Sequence, residues 1–371
     1  MNLSVQRELL LKPLQAISSV VEKKQTQPIL SNVLLTTKDN RLLLTGTDLE
    51  IELISFVPIE TLEAEGTLTV SARKLFDICR ALPENTIIQL IAVNHSCIVR
   101  AGQSSFTLNT MPAKDFPDLE DTTYPIQFRL KQTALKNLLT NTYFAMAHQD
   151  VRHYLNGTCL DIAAKKIKCI AADGHRLALS TQKVDSGDIE TRIILPRKSV
   201  LELMRLLTND DEIEADVYIN EHRFRLITSG LIFTTKLISA QYPDYNRLIP
   251  KGGLIATGER EVIKQALTRA AILSNEKFRG VRLQLESNSL RITANNADQE
   301  QAEEALPLKY DGNKMELGFN IAYLLDIVSA ITADFIRCAF TDTSSGVLIE
   351  AGNEQGETMG DSLYVVMPMR L

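Results

Sequence analysis

The chain repeats itself three times, and that constrains its fold more than any other feature. Amphipathic segments with apolar residues three and four apart come in two kinds, each present in three copies. The first kind covers Arg7 to Leu14, Lys131 to Leu139 and Arg260 to Leu267. The second covers Ser71 to Ile78, Leu195 to Leu203 and Gly318 to Leu325. Arg73, Arg197 and Asn320 hold the same place in the second kind, at steps of 124 and 123 residues, and one third of 371 residues is close to 124. The period therefore fills the chain with nothing left over. Smaller landmarks keep the same phase: Thr47-Asp48, Ala172-Asp173 and Ala294-Asn295, and Phe116-Pro117-Asp118 with Tyr242-Pro243-Asp244. A unit this long is far beyond the roughly 20 to 50 residues of a solenoid repeat, so the copies are domains rather than stacked turns.

Between the amphipathic segments lie alternating or β-branched runs: Leu42 to Thr45, Ile87 to Ala92, Ser104 to Leu108, Ile167 to Ala171, Phe224 to Ile227 and Phe233 to Leu237. Each repeat thus reads strand, helix, strands, helix, strands, an α+β fold with two helices packed on antiparallel sheets. Pro13 lies inside the first helical segment, where a proline removes an amide donor and is expected to kink or restart the helix. Domains are expected at 1–125, 126–247 and 248–371, with short linkers near 119–128 and 244–258.

Forty Lys and Arg against 46 Asp and Glu give a net charge of −6, so no global positive field draws this chain to nucleic acid or an anionic membrane. Any such contact must be local. The five cysteines, Cys79, Cys97, Cys159, Cys169 and Cys338, have no zinc-finger or C-x-x-C spacing, and an odd number of scattered thiols suits a reducing, cytoplasmic compartment. The opening Met1 to Glu8 carries no apolar signal stretch, and no later apolar run approaches the roughly 18 residues of a membrane span.

Signatures of phosphate-binding loops, dinucleotide folds, zinc proteases, serine hydrolases and EF-hands are missing, which weighs against an enzyme. His148 and His153 are five apart, off the spacing of a helical metal pair. In Asp173-Gly174-His175-Arg176 an Asp beside a His could orient an imidazole as a general base. The plainer reading is a hairpin turn, because Asp-Gly sits between two apolar runs and the turn recurs in phase at Thr47-Asp48 without a histidine. Basic residues recur at the second helices, as Arg73, Lys74 and Arg80 and as Arg197, Lys198 and Arg205, while the third copy offers Asn320 and Ile321. Singly these read as solvated charges. Their recurrence in an acidic chain points to a phosphate-facing stripe.

Four segments resemble the bacterial β sliding clamps, the β subunits of DNA polymerase III: Leu44 to Glu50, Ala147 to Arg152, Ile272 to Leu283 and Tyr364 to Leu371. The resemblance covers the whole chain. It implies three clamp domains per chain and a head-to-tail homodimer, a six-domain ring with helices lining a hole around duplex DNA. Twelve helices spaced about 9 Å apart close a circle about 34 Å across, which leaves about 24 Å after one helix diameter. Six helices would leave about 7 Å, too little for a duplex.

The resemblance also implies roles, residue by residue. DNA contact falls on Lys24, Arg73, Gln149, His153 and Tyr154, with Arg197 and Lys198 as further lining residues; Lys24 stands where the family has Arg and His153 where it has Tyr. A pocket for short linear peptides between the second and third domains takes in Leu155, Gly174, His175, Arg176, Leu177, Pro243, Arg247 and Leu248. It continues through Phe278, Asn320, Tyr323, Val365, Met367, Pro368, Met369 and Arg370, with Ala172 in place of the usual Thr and Ser344 in place of an aliphatic residue. Ring closure sets Phe106 and Leu108 against Ile272 and Leu273 of a second copy, with Glu300, Glu303 and Glu304 for ion pairing and Gln103 and Ser105 where bases are usual. Taken alone, Phe106 and Leu108 fit burial within their own chain equally well, and Tyr364 to Leu371 reads as a last strand with a frayed end.

The implied partners are duplex DNA, the catalytic subunit of DNA polymerase III, a clamp loader, and other polymerases and repair factors. No cofactor, metal or membrane is implied. A hydrolase built on Asp173, His175 and Arg176, and a three-domain scaffold that ignores DNA, are the competing readings.

Overall fold

Each repeat opens on a strand that runs straight into a helix. Asn2–Gln6, Ile126–Lys131 and Leu254–Glu259 deliver the chain to α1 (Arg7–Val20), α3 (Gln132–Thr140) and α5 (Arg260–Ala271). Thr67–Ser71, Thr191–Pro196 and Met315–Asn320 do the same for α2 (Ala72–Ala81), α4 (Arg197–Leu206) and α6 (Ile321–Ala330). These positions come from a computed structural model that describes residues 1–21, 27–117 and 122–370. Two helix starts, those of α2 and α6, are capped by short polar side chains that satisfy orphan amides: Ser71 accepts from the Lys74 amide at 3.4 Å and Asn320 from the Ala322 amide at 2.9 Å.

Each helix buries one face. On α1 the buried residues are Leu10, Leu14, Ile17 and Val20, and on α6 they are Ile321, Leu324, Ile327 and Val328. These spacings of three and four confirm the periodicity read from the sequence. The kink expected at Pro13 does not divide the helix, since α1 runs unbroken from Arg7 to Val20 with Pro13 inside it. The expected linkers are also shorter than the composition suggested. Ile126–Lys131 is already a strand, and residues 244–258 hold a 3-10 turn at Tyr245–Leu248 and the start of Leu254–Glu259.

The sheets are antiparallel and pass from one repeat into the next. In one contact unit, Met1–Thr133 with Leu201–Leu237, strand Leu231–Lys236 of the middle repeat pairs with Ile51–Pro58 of the first, setting Phe233 opposite Leu53. In the other, Ala134–Val200 with Ile238–Leu371, strand Thr358–Val366 of the last repeat pairs with Arg176–Lys183 of the middle one, setting Tyr364 opposite Ala178. The middle repeat thus gives one sheet to each unit.

Among the strand edges left open in the described residues, two fall in phase with these cross-repeat pairings. Gln301–Pro307 pairs on one side only, with Ser289–Asn295. Ser104–Met111 pairs with Ser96–Ala101 along Ser104 to Asn109, and on its other side meets Val70 and Thr69 only through Thr110 and Met111.

Cys79, Cys97, Cys159 and Cys169 are buried and all five cysteines are unpaired. Burial pushes the Cys79 thiol up to about 12 and Cys97 to about 11, so they are packing groups and not nucleophiles at neutral pH. Among the described residues no helix is long and apolar enough to cross a membrane.

Close packing between α1 and the strand Arg41–Thr47 is testable at Gly46. A Cβ there would lie 2.5 Å from Cγ2 of buried Ile17. Gly46→Ala is expected to lower the stability of this unit by about 1–3 kcal/mol, read from the denaturant midpoint of its unfolding transition. An unchanged midpoint would mean that α1 yields freely.

Candidate functional site

The turn after strand Lys166–Ala172 organises the site. Asp173 Oδ1 accepts from the amides of His175 at 2.8 Å and Arg176 at 3.0 Å, and its Oδ2 accepts from Arg176 Nε at 3.0 Å. Gly174 sits in the left-handed region at φ +91°. The same turn recurs after Arg41–Thr47, where Asp48 Oδ1 accepts from the amides of Glu50 at 2.9 Å and Ile51 at 2.6 Å. There the left-handed residue is Leu49, at φ +77°, and its side chain packs on the cluster of Ile29, Leu30 and Phe116. At the second turn the left-handed residue is a glycine, and the Arg152 guanidinium lies over it. A Cβ on Gly174 would come within 2.9 Å of the Arg152 guanidinium.

Beside Gly174 lies a cavity of about 310 Å³. Leu155, Ala172, Leu177 and Val365 form its buried walls, Tyr242 and Tyr245 close its base, and Leu248 and Met367, about half exposed, form the rim. Pro243, Tyr154 and Arg152 complete it. A mostly apolar hollow of this size accepts one or two large apolar side chains. Met367 belongs to a held segment, since its amide donates to the His175 carbonyl and the Met369 amide to that of Gly318, both at 2.8 Å. The frayed end expected after Val366 is therefore absent through Arg370. The backbone carbonyls of strand ends hold it in place.

Arg176 is the hinge pin of this region. Its side chain is 10% exposed, pairs with Asp173 and with Asp326 on α6 at 2.6 Å, and donates to the Phe144 carbonyl. The guanidinium lies 4.2 Å from the Tyr323 ring centre, and the His175 and Tyr323 rings stack with centres 6.5 Å apart. Because the Asp173 carboxylate is committed to turn amides and Arg176, it does not orient the His175 imidazole. The hydrolase reading of this cluster loses its acid–base pair.

The loop before the cavity is rigidly tied. Asp150 takes Arg152 Nε at 3.0 Å and Nη2 at 2.9 Å, and Asn156 Oδ1 accepts the Asp150 amide while its Nδ2 donates to the Asp150 carbonyl. Hydrogen bonding from Arg152 pulls the Asp150 carboxyl down to about 2, so this clasp stays charged through the physiological range. The loop presents Gln149, Val151 and His153 to solvent. Tyr154 turns inward instead, with its ring edge-on to Tyr242 at 6.1 Å.

Eight of the expected pocket residues meet at the cavity: Leu155, Gly174, Arg176, Leu177, Pro243, Leu248, Val365 and Met367. The others do not line it. His175 and Tyr323 stand behind it, Asn320 caps α6, Arg247 is exposed and pairs with Asp244 at 3.1 Å, and Pro368 is half-buried. Phe278, Met369 and Arg370 line a separate cleft. Arg152, Tyr242 and Tyr245 were missed, although Tyr242 had stood out as an in-phase landmark.

Among the basic candidates, Arg73 and Lys74 are exposed, with Arg73 paired to Asp77 at 3.0 Å, whereas Arg197 and Lys198 are half-buried. Arg197 donates to the Met146 carbonyl at 3.3 Å. Lys24 lies outside the described residues. Of the expected interface residues, Leu108 is buried in its own chain, Leu273 is half-buried, and Phe106 and Ile272 are 37% and 77% exposed. Glu304 already pairs with Arg269 at 2.8 Å, Glu303 with Arg291, and Glu300 accepts from Asn296. No group of three or more His, Cys, Asp or Glu that could hold a metal occurs among the described residues.

Filling the hollow should abolish its use. Gly174→Leu is expected to weaken binding of a labelled peptide ending in Leu-Phe at least tenfold by fluorescence anisotropy, with strain at a positive φ as a second penalty. Unchanged affinity would place the peptide elsewhere.

Comparison with known proteins matches three family descriptions in succession: the N-terminal domain of the DNA polymerase III beta subunit at residues 1–120, its central domain at 129–244 and its C-terminal domain at 246–370. A protein named beta sliding clamp in Pseudomonas putida is 46% identical over 377 residues, covering all of both chains. Its namesake in Escherichia coli is 45% identical over 372 residues, again covering both fully. Among solved structures, a sliding clamp of Pseudomonas aeruginosa bound to griselimycin superposes with a TM-score of 0.95 at 44% identity, and the Caulobacter crescentus pol III beta with 0.92 at 32%, each covering 100% of both chains.

Proposed function

The chain belongs to the bacterial β sliding clamp family, the β subunits of DNA polymerase III, and on that premise we propose which of its residues carry each part of a clamp's work. A member of this family is a processivity factor without an active site of its own: it encircles duplex DNA and tethers the polymerase to it. We assign the three domains to 1–125, 126–247 and 248–371 and the working compartment to the cytoplasm, where unpaired thiols persist.

Ring closure rests on the two open edges. Within the chain, the last strand of one repeat pairs with the strand that follows the Asx turn of the repeat before it: Leu231–Lys236 with Ile51–Pro58, and Thr358–Val366 with Arg176–Lys183. The third pairing of this series joins Ser104–Met111, the last strand of the first repeat, to Gln301–Pro307, the strand after the turn of the third. Both edges are open among the described residues. A second copy supplies each missing partner, head to tail, by strand addition. Exposed Phe106 and Ile272 then gain cover. This phase relation is the observation that carries the proposal.

The DNA-facing set is Lys24, Arg73, Gln149 and His153, with Arg197 and Lys198 as further lining residues; Tyr154, whose ring packs edge-on against Tyr242 in the cavity wall, leaves it. Cations at helix starts, exposed at Arg73 and half-buried at Arg197 and Lys198, give phosphate contacts without base readout, so the ring can slide. Partner peptides from the polymerase catalytic subunit, the clamp loader and repair factors enter the cavity beside Gly174. Its apolar walls and flexible Met367 rim suit sequences that share little beyond bulky ends.

Topological retention distinguishes this function from ordinary DNA binding. Loaded onto nicked circular duplex, the protein is expected to stay bound through gel filtration in high salt and to leave within seconds after a restriction enzyme linearises the DNA. Arg73→Glu with Arg197→Glu should impair loading but spare dimerisation. Equal loss from circles and linear DNA would contradict encirclement.

A further inference from the structure

An open cleft of about 860 Å³, larger than the peptide pocket, lies on the exposed face of the sheet formed by Gly280–Glu286, Ser289–Asn295 and Gln301–Pro307. Four cations line it, Arg282, Arg291, Lys314 and Arg370, against two carboxylates, Glu286 and Glu303. In a chain of net charge −6 this is a local excess of positive charge.

Three of the cations are already paired: Arg282 with Glu316 at 2.8 Å, Lys314 with Glu286 at 2.6 Å, and Arg291 with Glu303. Their side chains are 46%, 68% and 51% exposed, and pairs this open to water are weakly held. An incoming carboxylate can therefore share or replace the resident one at little cost. Polar Gln284, Thr293 and Asn295 between the charges offer hydrogen bonds to an extended backbone.

The cleft neighbours the peptide pocket along the C-terminal segment. Met367 forms the pocket rim, and two residues on, Met369 and Arg370 wall the cleft with half-exposed Phe278. A peptide anchored in the pocket thus has the cleft within two residues of its Met367 rim along the C-terminal segment. Extended polypeptide advances about 3.3 Å per residue, so roughly six residues span the sheet face.

We infer that this cleft binds an acidic, extended segment flanking the short motif of a partner protein, adding charge-based selection between partners to the apolar anchoring in the pocket. The inference rests on the pocket reading given above. Rim charges of this kind set specificity and encounter rate more than anchoring strength.

The test uses the full-length dimer and fluorescence anisotropy with three synthetic probes: a five-residue peptide ending in Leu-Phe, the same peptide with a six-residue Glu/Ser flank on either end, and controls with Ser-only flanks. One acidic flank is expected to tighten binding on the order of fivefold over its serine control at low ionic strength, and the gain should fade as salt is raised. In Arg282→Glu with Lys314→Glu, two exposed changes remote from the open strand edge, the gain should vanish while the five-residue peptide binds as before, which also reports an intact fold. If the short peptide binds but neither acidic flank beats its serine control, the cleft inference fails and the pocket stands. If the short peptide does not bind at all, both fail.

Discussion

Antiparallel strand pairing across repeat boundaries is the constraint on which everything else in this molecule depends. A sheet edge leaves amides and carbonyls unpaired, and such an edge must be joined, covered or spoiled. Two boundaries are joined within the chain, by Phe233 opposite Leu53 in one unit and Tyr364 opposite Ala178 in the other. A three-repeat chain has two internal boundaries but three pairing strands of each kind. One of each is left over, and a second copy satisfies both only if the two chains run head to tail. The dimer thus follows from the parity of the repeat, with hydrophobic contact at Phe106 and Ile272 as reinforcement.

The same boundaries generate the binding site. Where Thr358–Val366 meets Arg176–Lys183, the hairpin turn at Asp173-Gly174 lies beside the emerging C-terminal segment, and the cavity opens next to its left-handed glycine. Arg176 holds the walls together by spending its guanidinium on Asp173, Asp326 and the Phe144 carbonyl, so it acts by positioning Tyr323 and the turn. Carboxylates that might have bridged two chains, Glu303 and Glu304, are instead satisfied by Arg291 and Arg269 of their own sheet and helix. That fits the presence of Gln103 and Ser105 where bases would otherwise be needed.

Repeat phase and helix periodicity were legible in the sequence because burial enforces them: Leu10, Leu14 and Ile17 must share a face whatever else the chain does. The turn at Asp173-Gly174 was legible for the same kind of reason, since its chemistry is local. Pro13 does not restart the helix, since α1 runs on from Arg7 to Val20 with Pro13 inside it. Tyr242 and Tyr245 were invisible as site residues, for a tyrosine in a linker carries no local sign of the strand pairing that brings it under Leu155 and Val365. Tyr154 was read as pointing toward DNA with Gln149 and His153. Its ring faces Tyr242 because the Asp150–Arg152–Asn156 clasp turns the chain inward just after His153.

The measurement that bears most directly on the pairing argument is electron cryo-microscopy of the purified protein at a concentration where dimers persist. A closed ring of two chains, with Ser104–Met111 of one continuing into the sheet that ends at Gln301–Pro307 of the other, is the predicted result. Single chains, or dimers joined through any other surface with those two edges still bare, would contradict it.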